Sequence, residues 1–260
     1  VAHDEPANEG TFRPLKLILP QGKILSAEPS APMGNYSQPF PTVIDAIIKS
    51  LEQALPERVT GAHFGTFSGV RFRGKRDNGA PFDCHDSGHG GWGACATHDG
   101  AGPFRTMAHG DTRIIPIELQ ESMYPYRILE FSLREDSGGA GRFRGGLGFR
   151  KKYQILSPCD LQAMFDRIKY PPWGVQGGKS GKSGQITVEK RSGGKEIVYK
   201  SKGYPLEAGD IIIVETGGGG GYGQPQERLR GLVERDLRRG YISTEAAAKD
   251  YGIQRSDVMS

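Results

Sequence analysis

Cysteine is scarce in this 260-residue chain: Cys84, Cys95 and Cys159 are the whole supply, and no two of them form a CxxC pair. An odd, unpaired set argues against a disulfide framework and for a reducing, cytoplasmic setting. No run approaches the roughly 18 apolar residues of a membrane span, and no signal-peptide pattern opens the chain. The formal net charge is only +4, too little by itself to point to nucleic acid. Repeats of 20–50 residues are absent, and so is a three-residue glycine period, which excludes collagen. The first residue is Val1 rather than Met, as expected of a processed product, a split subunit or a piece of something longer.

Glycine is what the chain has in excess. There are 39, about twice the roughly 7% average share, and they cluster beside apolar runs. Tight turns and close backbone approaches are the expected use. Charge is uneven: residues 135–202 hold fourteen Lys/Arg against six Asp/Glu. That pattern fits solvated strand faces, or a surface for an acidic or phosphate-bearing ligand.

Three parts follow along the chain. Residues 1–125 read as mixed: "RPLKLILPQGKIL" is an apolar run broken by a turn, and then comes the clearest helix. Phe40, Val43, Ile44, Ile47, Leu51 and Leu55 recur at helical steps, with Pro41 near the start and Pro56 closing the run, a stripe expected to face the core. From 58 to 115 the pattern is irregular and bears histidines. Residues 126–223 are β-rich: "YRILEFSLRE", "GFRKKYQIL", "GQITVEKR", "KEIVYKSKG" and "DIIIVET" read as strands, with "KRSGGKE" as a hairpin loop. Residues 224–260 are helical, with Pro225 at a helix start, Leu229, Leu232, Val233 and Leu237 on one face, and Ser243 capping a last helix stopped at Gly252. The class is α+β, with an antiparallel sheet or barrel in the middle.

Four segments carry candidate chemistry. "EDSGGAGRFRGGLGFR" (135–150) lacks the Gly-Lys-Ser/Thr of a phosphate loop, and strand rather than helix follows it, so it reads as a rigid turn. "CHDSGHGGWGACATHDG" (84–100) offers His85, Asp86, His89, His98 and Asp99 as metal ligands. Its glycines deny the helix that would align His85 with His89, so hydrogen-bonded histidines are the favoured reading. Cys95, between Ala94 and Ala96, reads as packing rather than reactive, because nothing in the sequence fixes a base beside it. In "RIIPIELQESMYPYR" (113–127), Glu118 and Glu121 share one face if that stretch is helical; they are an acid–base pair or a surface pair beside Arg113 and Arg127. "VETGGGGGYGQP" (214–225) can act only through its backbone, as an anion nest, a close-packing contact or a loop.

"DSGGAGRFRGGLGFR", "IPIELQESMYPYRI", the Gly90–Ala94 and Asp99-Gly100 pattern, "NEGTFRPLKLILPQGKIL" and "AGDIIIVETGGGGGYGQPQER…RDLRRGYISTEAAAKDYG" fall together in one order. In that order the chain resembles the hydantoinase B/5-oxoprolinase family, which includes N-methylhydantoinases, caprolactamases and acetone or acetophenone carboxylases. It is similar to the C-terminal half of the B subunit. The resemblance implies a component of an ATP-dependent complex that hydrolyses a cyclic amide, or carboxylates a ketone, after phosphoryl activation by an A-type subunit. It implies that ATP/Mg and a divalent metal, Zn or Mn, belong to the rest of the complex, and that this chain binds no cofactor of its own. The partners would be the A-type ATP-binding subunit and the N-terminal half of the B subunit, with a small-molecule substrate. Glu118, Glu121, His109 and Asp99 are then the catalytic candidates, and Arg142, Arg144 and Asp136 the substrate-binding ones. "MAHGDTRIIPIE" and "HDSGHGG" depart from the family pattern and put the particular substrate in doubt. Two alternatives stand beside this reading: an assembly half-subunit without chemistry, and a stand-alone metallohydrolase using His85, His89 and His98.

Overall fold

The computed structural model describes residues 10, 13, 16–32, 38–107 and 112–253. It divides into two compact units, residues 1–39 and 40–260. In the first, a turn closes through Gly22 N–H to Ser26 O at 2.9 Å, and Leu17, Ile18 and Ile24 are exposed.

The second unit holds two open antiparallel sheets, so the barrel alternative gives way to a sandwich. The strands are β1 (Gly69–Lys75), β2 (Pro81–Asp86), β3 (Tyr126–Leu133), β4 (Phe149–Ile155), β5 (Cys159–Met164), β6 (Gln185–Glu189), β7 (Lys195–Val198), β8 (Lys200–Leu206) and β9 (Ile211–Glu215). One sheet runs β2-β1-β5-β8 and the other β3-β4-β9-β6-β7. Period-two side chains from both meet in a common core: Phe72, Cys84 and Leu161 from the first, Tyr153, Ile186 and Ile212 from the second. β1 and β2 lie in the stretch whose sequence pattern is irregular, because their outward faces carry Arg71, Arg73, Asp83 and His85. "KEIVYKSKG" is not one strand: the chain changes sheets at Tyr199, so β7 extends one sheet and β8 the other. The β6–β7 hairpin forms at the expected place, with Gly193 and Gly194 at positive φ and Lys190 N–H donating to Gly194 O at 3.1 Å.

Four α-helices are described: α1 (Phe40–Ser50), α2 (Ile117–Met123), α3 (Arg230–Arg238) and α4 (Thr244–Tyr251). None of them is long and apolar enough to cross a membrane. Ser243 Oγ accepts from Ala246 N–H at 3.1 Å and Gly252 closes α4 at φ 70°, as the sequence signals require.

α1 departs from expectation. The residues it buries are Pro41 and Asp45, while Phe40, Ile47, Leu51 and Leu55 are exposed. Asp45 turns the helix: its carboxylate accepts from His63 Nδ1 at 2.9 Å, His63 N–H at 3.1 Å and Arg167 Nη2 at 2.7 Å. A buried carboxylate with three donors outweighs the apolar stripe in choosing the inward face.

Beside the sandwich lies a layer built from backbone. Gly217–Gly221 runs through the middle of the extended segments 61–64, 90–94, 138–146 and 174–182. Gly218, Gly219, Gly220 and Gly221 donate to Lys182, Gly146, Ala62 and Lys179 at 2.8–3.1 Å, so successive amides point at different neighbours. Gly217, Gly219, Gly220 and Gly221 carbonyls accept from Gly91, Gly139, Ala94 and Val175. A Cβ on Gly219 would fall on the carbonyl of Trp92, one on Gly220 on that of Trp173, and one on Gly146 on that of Ala101. Of the readings open for the five-glycine run, close packing is the one realised: four of its amides are consumed by neighbouring carbonyls.

Candidate functional site

Trp92 of the layer, with His89 and residues 104–107 and 112–114, lines a cavity of about 620 Å³, within the usual range for small-molecule sites. His89, Trp92, Phe104, Arg105, Met107 and Arg113 are among its lining residues. The walls are fixed by backbone pairing: Gly90 and Phe104 exchange two hydrogen bonds of 2.9 Å, and Trp92 Nε1–H donates to Arg105 O at 2.8 Å. Trp92 meets Phe104 edge to face at 5.8 Å and His63 at 5.2 Å.

Polar side chains interrupt these apolar walls: His89 and Arg105, with Thr106, Thr112 and Arg113. His89 Nε2 donates to Thr112 O at 3.0 Å, and its Nδ1 is buried without a hydrogen-bond partner among the described residues. Arg105 donates through Nη1 to Gly88 O at 3.1 Å and stacks 4.9 Å from Phe67, while its Nε is buried without a partner among the described residues. Burial pulls Arg105 below its ordinary range and nearby Asp86 pulls it back up in part. Both His89 Nδ1 and Arg105 Nε are shielded from solvent, so the two residues line the cavity through other atoms.

Behind it, between the sheets, is a buried polar network. Asp86 Oδ2 accepts from Lys151 Nζ and from Tyr153 Oη at 2.7 Å; Lys151 and Tyr126 both donate to Gln120 Oε1, at 3.0 and 3.2 Å. Tyr126 Oη also lies 3.3 Å from Cys84 Sγ. Burial holds the Tyr126 and Tyr153 hydroxyls above their ordinary range, Tyr153 also through Asp86. The alternation of β4 carries the signal for this network, since it turns Lys151 inward with Phe149, Tyr153 and Ile155.

The sequence candidates are dispersed. Glu118 and Glu121 share α2, one turn apart and both exposed; Glu121 Oε1 accepts from Ile128 N–H at 2.6 Å. Asp99 lies in an ion cluster away from them. It accepts from Arg228 at 2.6 and 2.8 Å, Arg144 N–H at 2.8 Å and Arg235 at 3.2 Å. Burial pushes the Asp99 carboxyl up, but the hydrogen bonds and charge of Arg228, with Arg144, hold it below the usual carboxylate range. Arg144 Nε reaches Asp236 at 3.1 Å within the same cluster. Asp136, at φ 57°, accepts from Ser243 N–H at 2.8 Å, and Arg142 is exposed beside Phe143. Arg144, Asp99 and Asp136 therefore tie the glycine turns to the C-terminal helices. His109 lies outside the described residues.

The metal ligands of the sequence reading do not converge. His85 points outward from β2, His89 is held by Thr112, and His98 sits in a turn with Cys95. Among the described residues no group of three or more His, Cys, Asp or Glu could hold a metal ion. A divalent metal therefore does not fit the described residues, and the ligand set of the stand-alone metallohydrolase is missing from them.

The sequence profile of the hydantoinase B/oxoprolinase family matches residues 1–225. The chain belongs to that family. A member from Methanocaldococcus jannaschii, the uncharacterized protein MJ0963, is 41% identical over 254 residues, spanning 96% of this chain and 44% of its own length. Caprolactamase subunit beta of Pseudomonas jessenii is 34% identical over 271 residues, 95% of this chain and 45% of its own. The crystal structure of the ATP-dependent caprolactamase from that organism superposes with a TM-score of 0.84 at 31% identity, over 96% of this chain and 45% of the other. This hydantoinase B chain thus spans less than half the length of these relatives.

Proposed function

We propose that this chain supplies part of the catalytic unit of an ATP-dependent complex that opens a cyclic amide, after an A-type partner subunit has used ATP to phosphorylate the amide oxygen. What supports this reading is the likeness of nearly all of this chain's fold to the ATP-dependent caprolactamase of Pseudomonas jessenii, over less than half of that protein's chain. An amide resists water because nitrogen donates into the carbonyl; a phosphoryl group on oxygen turns that oxygen into a leaving group. One water then adds to the carbon and the C–N bond breaks as the nitrogen takes a proton, leaving an acyl phosphate; a second water cleaves that to carboxylate and phosphate. The cavity is assigned to the substrate. Trp92, Phe104 and Met107 keep water out, the Arg105 cation in the wall favours developing negative charge, and His89 fixes the wall through its hydrogen bond to Thr112 O. Glu118, Glu121 and His109 are the proposed general acid–base groups, and Arg142 the proposed anion contact. Asp99, Arg144 and Asp136 are assigned to holding the fold. The part of the relatives that this chain does not span is the proposed occupant of the exposed α1 stripe.

Reconstitution tests this. The chain is combined with an A-type subunit and a hydantoinase B N-terminal half, and ADP and ring-opened acid are measured over caprolactam, 5-oxoproline and hydantoin. ADP release should depend on one of these cyclic amides, and His89→Ala or Arg105→Ala should cut turnover by about a hundredfold. ATP hydrolysis indifferent to every cyclic amide, or unaltered in both variants, overturns the assignment.

A further inference from the structure

The three cysteines occupy two kinds of surroundings. Cys84 and Cys159 lie in the sandwich core. Burial pushes the Cys84 thiol up to about 11, with its Tyr126 hydrogen bond pulling the other way, and the Cys159 thiol up to about 12, helped by the charge of Asp160. Cys95 is half-exposed at the end of the glycine layer. Its Sγ lies 3.0 Å from His98 Nδ1 and 3.3 Å from Thr97 Oγ1, and Thr97 Oγ1 lies 2.9 Å from the same ring nitrogen. The base that the sequence did not reveal is three residues away.

Backbone geometry holds the two side chains together. Cys95 N–H donates to His98 O at 3.2 Å, closing the turn, and Cys95 pairs with Thr60 in an isolated bridge. On one side Ala94 is locked into the layer by Gly61 N–H at 2.8 Å and Gly220 O at 2.9 Å. On the other side Asp99 is gripped by Arg228. Thiol and imidazole need not be assembled from a mobile loop, and His98 is exposed, so solvent reaches its ring.

We propose that Cys95, with His98 as its base and Thr97 as a second hydrogen-bond donor, is a reactive thiol that forms mixed disulfides with small-molecule disulfides. The step balances. His98 Nδ1 takes the thiol proton, Cys95 Sγ attacks one sulfur of the disulfide, and a new S–S bond forms as the old one breaks. The departing thiolate takes a proton from the imidazolium or from water. No net oxidant is consumed beyond the disulfide itself, and a free thiol reverses the exchange. This site is independent of the cyclic-amide reading and lies among residues given no part in it.

The test uses the whole folded chain and an aromatic disulfide that releases a coloured thiolate, with the modified cysteine located by peptide mass spectrometry. Cys95 should be modified first, faster than the same cysteine in the urea-unfolded chain, while Cys84 and Cys159 react only on unfolding. His98→Gln should slow Cys95 by roughly tenfold without moving the thermal midpoint, and added imidazole should restore part of the rate. If His98→Gln keeps its midpoint and reacts at the parent rate, His98 is not the base and the proposal fails. If His98→Gln lowers the midpoint, the imidazole arm decides: an unchanged rate on adding imidazole overturns the proposal.

Discussion

The sandwich and the glycine layer solve the same problem in opposite ways. In the sandwich the sheets are held apart and side chains such as Phe72, Leu161, Ile186 and Ile212 fill the gap. In the layer the chains themselves touch, and the filling is backbone: Gly219 lies against Trp92 O, Gly145 against Gly219 O and Gly174 against Gly178 O. One core is set by which side chains are present, the other by their absence. A side-chain core relaxes when an atom is lost, because neighbours move into part of the space. A layer of hydrogen-bonded backbone has no flexible end to move, so an added atom must part the chains.

The sharpest way to break this contrast is to change one methyl group in each region. Ile186→Val removes a methyl from a residue fully buried in the sandwich and should cost about 1 kcal/mol. Gly219→Ala adds one where Trp92 O already sits and should cost more than about 4 kcal/mol, enough to prevent folding in many domains. Urea unfolding of both variants measures the difference. Equal losses would mean that the layer yields as readily as the sandwich and that the distinction is false.

This contrast also decides what was legible in the sequence. β4, β6 and β9, the hairpin between Glu189 and Lys195 and the Ser243 cap could be read, because side-chain period and capping chemistry are local. The family, too, could be read from five ordered motifs. The layer could be located by its glycines but not arranged, since successive residues of Gly217–Gly221 address different segments and leave no period. α1 was misoriented because its inward group is one carboxylate, Asp45, whose donors His63 and Arg167 lie 18 and 122 residues away. The cavity escaped for the same reason: its lining comes from separate stretches, 89–92, 104–107 and 112–114, that no local pattern joins. For Cys95 the turn that brings His98 back has no marked sequence signature.

Between the two regions in expected effect stands the ion cluster that fastens α3 to the layer. Asp99→Asn should cost about 2 kcal/mol at neutral pH, since it removes the charge and one accepting oxygen of a half-buried carboxylate paired with Arg228. The folded Asp99 carboxyl sits below its unfolded value, so its contribution is complete above the unfolded value, roughly pH 4. It fades as pH falls through the folded value. Urea midpoints of parent and variant should therefore differ at neutral pH and converge in strong acid; a gap that persists in acid would place the effect in packing rather than charge.

The smallest effect has the opposite sign. Gly231 lies in the first turn of α3 with nothing within 4 Å of where a Cβ would stand. Gly231→Ala is the same chemical change as Gly219→Ala, but here the methyl enters solvent and restricts the unfolded chain, stabilising the helix by about 0.5–1 kcal/mol. The pair isolates location from chemistry. A rise in the urea midpoint for Gly231→Ala beside collapse for Gly219→Ala leaves contact with backbone as the cause of the difference. A fall of similar size in both would show that glycine is needed for flexibility throughout, and the close-packing account of the layer would have to be given up.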